Sequence, residues 1–451
     1  MRKRHNGIWL VVPTLIVLGI GVYYLSPVHS RLAWRVDDLR TRVKYFFSPP
    51  DEALFQPAEQ AQIEAIVSAT MQAIQTAAAP TATPAPTSGA TATPTTSPMP
   101  LPASVSLPGI VYVDQCNRWN YCGPSNLAMA LNFWGWKGSR DDVAKAIKPG
   151  ENDPKKDFVD RGAKDKNVMP YEMVDFVNAE AGFRALYRYG GEMELVKRLL
   201  AAGYPVLIEK GYYEQDYTGK IGWMGHYSFV TGYDDSRKVF IWQDTYPPPQ
   251  CKGNGRNVLV AYDTFVEGWR SFDYLFIVVY PPEREQEVLA ILGLWADPQW
   301  AAQHALDTAN QETQTLEGID GFFAWFNKGA SHVALQQYVD AAAAYDQAFS
   351  IYAGLGGDDK QRPYRIMWYQ TGPYWAYYYA GRYMDVINLA NTTLNETISE
   401  PTLEESLYWR GMAKYMVGDT QGAIGDYRAA LAIHTDWGAA VQALQDLGVQ
   451  P

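Results

Sequence analysis

No charged residue lies between Ala65 and Val113, and Ala77 to Pro108 within that span is dominated by alanine, threonine, proline and serine. Proline removes backbone donors and such a composition has little to bury, so the stretch builds no core and reads as an extended, flexible stalk. It separates a short N-terminal part from a long remainder. The 451-residue chain is 47% hydrophobic and 19% charged, enough apolar surface to fold outside the stalk. At roughly 150 residues per domain, two or three domains are expected.

The N-terminal part carries Arg2, Lys3 and Arg4 followed by an apolar run from Ile8 to Leu25. At 1.5 Å per residue, about 18 residues cover roughly 27 Å, close to one bilayer core. Trp9 and Tyr23-Tyr24 mark its two ends as interfacial belts do. The sequence after it, Ser26-Pro27-Val28-His29-Ser30, is a poor signal-peptidase site, so an uncleaved single-pass anchor is expected. The basic residues Arg31, Arg35, Arg40, Arg42 and Lys44 follow the run, so charge counting leaves the orientation open. The stalk favours the bulk of the chain outside the cytoplasm. A short helix is expected over 57–78.

Charge and metal-ligand composition exclude several functions. The formal net charge is −11, with 38 Lys+Arg against 49 Asp+Glu, and no basic block lies beyond the N-terminal 45 residues. Nucleic-acid binding needs a cationic surface, so no nucleic-acid partner is expected. Three cysteines make neither a disulfide scaffold nor a four-cysteine zinc site, and no histidines stand at metal-ligand spacing. No cofactor is expected.

From Leu107 to Pro282 the pattern becomes mixed. Ser125 to Trp134, Pro170 to Ala181 and Glu192 to Ala202 read as helices. Residues 205–208, 227–231, 238–242 and 274–280 read as strands. Helices followed by strands imply an α+β domain. Cys122 sits in Tyr121-Cys122-Gly123-Pro124-Ser125-Asn126, at a helix start where the dipole favours thiolate and where glycine lets a substrate carbonyl approach. His226, the region's single histidine, lies in Gly225-His226-Tyr227 at a strand start, where an imidazole can be held against a helix N-terminus. Asp244 ends the next strand, and a hairpin turning at 234–235 would bring it to His226 as the group that orients the ring. Gln115, seven residues before Cys122, has an amide suited to an oxyanion. A cysteine before a helix is also an ordinary buried residue, so the set carries the argument and Cys122 alone does not.

Asp114-Gln115, the run Tyr121 to Leu131, Gly225-His226-Tyr227 and Gln243-Asp244 together resemble the C39-type cysteine peptidases, over about 110–282. The resemblance implies a papain-like fold with Cys122 as nucleophile, His226 as general base, Asp244 as its orienter and Gln115 as oxyanion residue. The best-known members of that family belong to peptide-exporting transporters and cut leaders after Gly-Gly. No GxxxxGK[ST] motif occurs here, so that substrate does not carry over and a stand-alone C39-like enzyme is the better likeness. A papain-like arrangement would also set Cys116 and Cys251 on loops flanking one cleft, implying a Cys116–Cys251 disulfide and an oxidising compartment. Trp119, Tyr121, Tyr212, Tyr213, Trp223 and Tyr246 are candidate groove or core residues, and Tyr212 to Trp223 reads as a loop over the cleft.

Beyond residue 283 the chain is helical and alanine-rich. Gly329, Ala341, Tyr345 and Ala348 match Gly411, Ala423, Tyr427 and Ala430 at a constant offset, and a weaker copy has Tyr374, Tyr377, Gly381 and Ile387. The spacing resembles the tetratricopeptide repeat, implying stacked helix pairs that bind a protein or peptide, or a rigid platform for the neighbouring domain. The expected divisions are an anchor (1–30), a juxtamembrane segment and stalk (31–106), a peptidase domain (107–282), one connecting helix (283–319) and repeats (320–451). The function expected is a membrane-anchored, extracytoplasmic cysteine peptidase acting on a peptide or protein substrate, its repeats recruiting a protein partner. The alternatives are an acyltransferase or amidase acting on cell-wall peptides, and a non-catalytic peptide-binding scaffold.

Overall fold

The computed structural model describes residues 14, 19–50, 54–57, 100–116, 118, 120–148, 167–215, 221–247, 251–355, 362–398 and 403–451. Most of the apolar run 8–25, the helix expected at 57–78 beyond Pro57, and stalk residues 77–99 lie outside them. Among the described residues, no helix is long and apolar enough to cross a membrane.

A 22-residue helix, α1 (Ser26–Phe47), leads the described chain. Its end is docked on the C-terminal region: Lys44 Nζ donates to the carbonyl of Asn395 at 2.7 Å and Tyr45 Oη to that of Thr397 at 3.2 Å. Phe55 packs edge-on against Phe349, with ring centroids 5.0 Å apart. The expected stalk ends sooner than Pro108, because within it β1 (Ser104–Ser106) joins the sheet described next. The chain on both sides of 58–99 is thus seated on the folded body, which composition could not indicate.

The middle region is one antiparallel sheet clasped by helices. Its elements are α2 (Cys122–Phe133), α3 (Arg140–Ile147), α4 (Pro170–Ala179), β2 (Arg184–Arg188), α5 (Met193–Ala201), β3 (Val206–Gln215), β4 (Ile221–Asp234), β5 (Val239–Gln243), β6 (Val258–Ala261), α6 (Tyr262–Arg270) and β7 (Phe276–Tyr280). The strand order is β2-β7-β3-β4-β5-β6, and β1 pairs with β4. Both faces are covered. Leu207, Phe229 and Ile277 pack with α2 on one face, while Val206, Ile208, Val230 and Phe276 pack with Leu195, Leu199 and Trp269 on the other. Burial on both sides explains why β7 reads as an unbroken apolar run. Of the expected cleft loop Tyr212 to Trp223, residues 216–220 lie outside the described residues. Its described residues extend β3 and β4 as a hairpin in which Tyr212 pairs with Met224, Tyr213 with Trp223 and Gln215 with Ile221.

The single connecting helix expected over 283–319 is divided into α7 (Glu285–Leu292) and α8 (Pro298–Glu312). Gly293 at φ 58° breaks the first, and Asp297, accepting from the Gln299 amide with Pro298 at the first helical position, starts the second. The helical region continues with α9 (Gly318–Ala334), α10 (Tyr338–Gly354), the short α11 (Ile366–Tyr369), α12 (Gly372–Tyr379), α13 (Tyr383–Thr392), α14 (Glu404–Met416), α15 (Thr420–Ile433) and α16 (Gly438–Asp446). α9 packs on α10, and α14 on α15. In both hairpins the tyrosine ring fills the place of a side chain on the glycine: a Cβ at Gly329 would lie 2.7 Å from Tyr345, and one at Gly411 2.7 Å from Tyr427.

The two regions share one apolar core, Leu127, Phe229 and Leu275 being continuous with Phe322, Tyr345 and Tyr374. They are also joined by a buried ionic cluster. Lys148 Nζ lies 2.8 Å from Glu172 and pairs with Glu404, whose Oε1 is 3.4 Å from His434 Nδ1. Breaking one arm of such a buried pair typically costs about 3–5 kcal/mol, so the cluster fixes the docking of the two regions.

Candidate active site

Pro124 lies in the first turn of α2, where its missing N–H would have had no helical partner. Cys122 at the start of that turn is partly exposed and is a free cysteine. Gly123 serves packing: a Cβ there would lie 3.1 Å from Val168, so the glycine lets the chain ahead of α4 close on α2.

The helix start is locked into the edge of β4. Pairing of β4 with β5 ends at Phe229 and Gln243, which leaves the next stretch of that edge open. α2 takes it over. Asn126 Nδ2 donates to the carbonyl of Tyr227 at 2.9 Å and to its own Cys122 carbonyl at 2.8 Å, and the Tyr227 N–H donates to the Cys122 sulfur. Cys122 is thereby brought to His226, the preceding residue of the same strand and a middle one in β4 rather than its first.

His226 is buried, and its Nε2 stands 3.3 Å from Asp244 Oδ1. The ring also hydrogen-bonds the Cys122 thiol, and with Nε2 directed at Asp244, Nδ1 is the nitrogen left for sulfur. Burial alone would lower the imidazole pKa; hydrogen bonds to Asp244 and Cys122, with their charges, raise it to about 9. Burial likewise pushes the Cys122 thiol up, but the His226 hydrogen bond and charge, with the Tyr227 and Gly123 amides, bring it below its ordinary value. Burial works against the Asp244 carboxylate too, and His226, Lys210 and the Tyr246 amide together hold its pKa below the usual range. These shifts favour a thiolate–imidazolium–carboxylate array.

Asp244 is fixed by its backbone and side chain. Its carbonyl accepts from Tyr112 Oη at 2.7 Å, its N–H donates to Gly255 and its Oδ1 accepts from the Tyr246 amide at 2.9 Å. Gln115 is held by the next residue: its N–H donates to the Thr245 carbonyl and its Oε1 accepts from Thr245 Oγ1, each at 2.8 Å. With that oxygen occupied, the amide NH2 is the end left for a reacting group. Ser125 Oγ in α2 donates to the Asp114 carbonyl at 3.1 Å, tying the Gln115 segment to the helix that begins at Cys122.

Residues 108–274 match the family model described as Peptidase_C39 like family. The matched span contains Gln115, Cys122, His226 and Asp244, and the middle region is a C39-like, papain-type α+β domain followed by a helical region. The match supports a cysteine-peptidase-type function for this domain. Two solved structures are similar to the chain. One, from Bacillus anthracis, is described as a C39-like peptidase; it is 16% identical, with 39% of this chain and 96% of that one covered and a TM-score of 0.29. The other is xylellain, a cysteine protease from Xylella fastidiosa, 17% identical over 40% of this chain and 87% of its own, with a TM-score of 0.27. No curated protein matches the chain.

Cys116 and Cys251 of the C39-like domain are joined in a disulfide, their Cα atoms 5.7 Å apart. Of the candidate groove aromatics, Tyr121 and Trp223 are core residues, fully buried, with Trp223 stacked on Phe272. Tyr212 does reach the centre, its ring centroid 5.5 Å from that of His226. Trp119 lies outside the described residues. Two buried ionisable residues of β3 lie just beyond the apolar run at 205–208. Lys210 pairs with His226 across the strands, its Nζ 4.4 Å from the Tyr212 ring centroid and 4.6 Å from that of Trp242. Glu209 pairs with Tyr227 and is equally buried. Adjacent acidic and basic residues continuing an apolar strand were the available signal. Among the described residues, Glu172, Glu404 and His434 could together hold a metal ion, but Lys148 already supplies the cation there.

Proposed function

We propose that the chain is a membrane-anchored, extracytoplasmic cysteine peptidase with Cys122 as nucleophile, His226 as acid and base, Asp244 as the orienter of His226 and Gln115 as an oxyanion donor. The observation that carries this reading is the continuous hydrogen-bonded chain from the Cys122 thiol through the His226 ring to Asp244. Thiolate Sγ attacks the peptide carbonyl carbon. The Gln115 amide and the Cys122 N–H, at a helix start, are the donors offered to the developing oxyanion. Imidazolium His226 gives its proton to the leaving amine as the C–N bond breaks, leaving a thioester and a neutral ring. That ring then takes a proton from water, which attacks the thioester carbonyl, releases the acid and restores the thiolate–imidazolium pair.

The remaining parts fit this use. A disulfide beside the site suits an oxidising compartment. The apolar run 8–25 would anchor the chain, and α1, docked through Lys44 and Tyr45, would hold the body close to that anchor. The glycine–tyrosine hairpins favour a tetratricopeptide-type array, which would recruit a protein partner or substrate.

The test is hydrolysis of a fluorogenic peptide library by the full chain in detergent, with products weighed by mass spectrometry. Turnover with addition of water, abolished in Cys122→Ala, is expected. Turnover surviving in Cys122→Ala would overturn the assignment, and products carrying an added amine in place of water would make the protein an acyltransferase.

A further inference from the structure

A cavity of about 500 Å³ lies between the sheet and the helical region, within the range of ligand-binding sites. Glu209, Phe272 and Leu275 line its sheet side, and Trp375, Tyr379 and Trp409 its helical side. Among the described residues its walls carry two carboxylates, Glu209 and Glu405, with many aromatic rings and no lysine or arginine. Glu405 accepts from Tyr171 Oη at 2.8 Å. Glu209 is only 3% exposed and is hydrogen-bonded to Tyr227, with no cation among the groups that act on it. Burial, reinforced by the charge of Cys122, pushes its carboxyl well above the ordinary range. Burial therefore favours the neutral carboxyl at Glu209, and a positive charge placed against it would favour the carboxylate.

The cavity adjoins the reaction centre. Glu209 lies near enough to Cys122 to feel its charge, and so does Tyr369 on the cavity wall. Tyr369 is pressed against the residue before His226: a Cβ at Gly225 would lie 2.7 Å from its ring. At the helical end Trp375 and Tyr379 are 39% and 51% exposed. The cavity thus joins the neighbourhood of the nucleophile to solvent-facing aromatics of the helical region.

We propose that this cavity is a substrate subsite that takes a basic side chain, lysine or arginine, its alkyl stem among the aromatic rings and its cation against Glu209. This deepens the reading of Cys122 as a peptidase nucleophile and rests on it. The entering cation displaces the Glu209 proton to solvent and pairs with the carboxylate, and ring faces such as those of Tyr189 and Tyr369 add cation–π attraction. A neutral side chain of the same length gains only apolar burial. The helical region then helps to select substrate, since it supplies most of the lining.

The test uses the full chain and peptidyl vinyl sulfones carrying lysine, norleucine or glutamine, in turn, at each of the three residues on the acyl side of the electrophile. At one position lysine should label Cys122 about tenfold faster than norleucine or glutamine. Glu209→Gln, which keeps the shape and charge of the protonated acid, should bring the lysine and norleucine rates together while norleucine labelling reports that the variant is folded. Lysine no faster than norleucine at every position, or a lysine preference that survives in Glu209→Gln, would overturn the subsite. If no probe labels Cys122, the nucleophile assignment fails instead. The subsite is then decided by calorimetry on Cys122→Ala with lysine and norleucine peptides: tighter lysine binding supports it and equal binding overturns it.

Discussion

Asp244 shares a sheet face with His226 because β4 carries one residue more than β5 between Val230 and Gly232. Phe229 pairs with Gln243 before the irregularity and Gly232 with Ile241 after it, leaving Thr231 as the extra residue. Val230 and Tyr233, three residues apart, consequently pack in the same core as Phe240 and Trp242. Continuing this register sets Asp244 against Ser228, on the face that His226 also occupies. A regular hairpin from the same turn would set Asp244 against Phe229, on the opposite face.

The bulge is pinned by Gln243, which donates to Thr231 Oγ1 at 2.9 Å and to Asn257 Oδ1 at 2.8 Å and accepts from the Asn257 amide at 3.1 Å. Gln243→Leu leaves buried partners unpaired and should cost about 2–3 kcal/mol in urea unfolding. Because it loosens the placement of Asp244, kcat/KM should also fall, by up to about 10²-fold. A stability loss with unchanged kcat/KM would mean that the bulge does not position Asp244.

Turnover should follow the two titrations of the site. It rises as Cys122 ionises below the ordinary thiol range, and falls as His226 loses through about pH 9 the proton that the leaving amine requires. Asp244→Asn removes the group that raises the imidazole pKa, so the upper limb of the kcat/KM profile should move down in pH. The folded pKa of His226 lies above its ordinary value of 6.5. Its stabilisation is therefore complete below about pH 6.5 and lost as the pH rises through about 9, which urea midpoints across that window would show.

Thiol titration of the denatured, unreduced chain should find one free cysteine, rising to three after reduction. The disulfide spans 135 residues and closes beside Gln115. The double variant Cys116→Ser/Cys251→Ser should lose about 2–5 kcal/mol of stability and part of its turnover. An unchanged melting profile would mean that the link carries no constraint.

Much of this architecture is legible in the sequence, for identifiable reasons. The strands at 205–208, 227–231, 238–242 and 274–280 announce themselves as apolar runs because the sheet is covered on both faces. β2, β6, α3 and α6 carry weaker patterns: β2 and β6 are short and each is partly exposed, and α3 and α6 are helices of only 8 and 9 residues. Gln115, Cys122, His226 and Asp244 stand out by residue type and order. The bulge at Thr231, which decides the face of Asp244, depends on pairing between strands and leaves no local pattern. The docking of Lys44, Tyr45 and Phe55 was likewise hidden, since it depends on contacts across hundreds of residues.

The most direct measurement is the pH dependence of iodoacetamide alkylation at Cys122, located by peptide mass spectrometry, in the full chain and in His226→Ala. The account predicts a reactive thiolate well below the ordinary thiol range in the parent chain, and a profile shifted to higher pH with slower neutral-pH alkylation in His226→Ala. Superimposable profiles for the two proteins would contradict it.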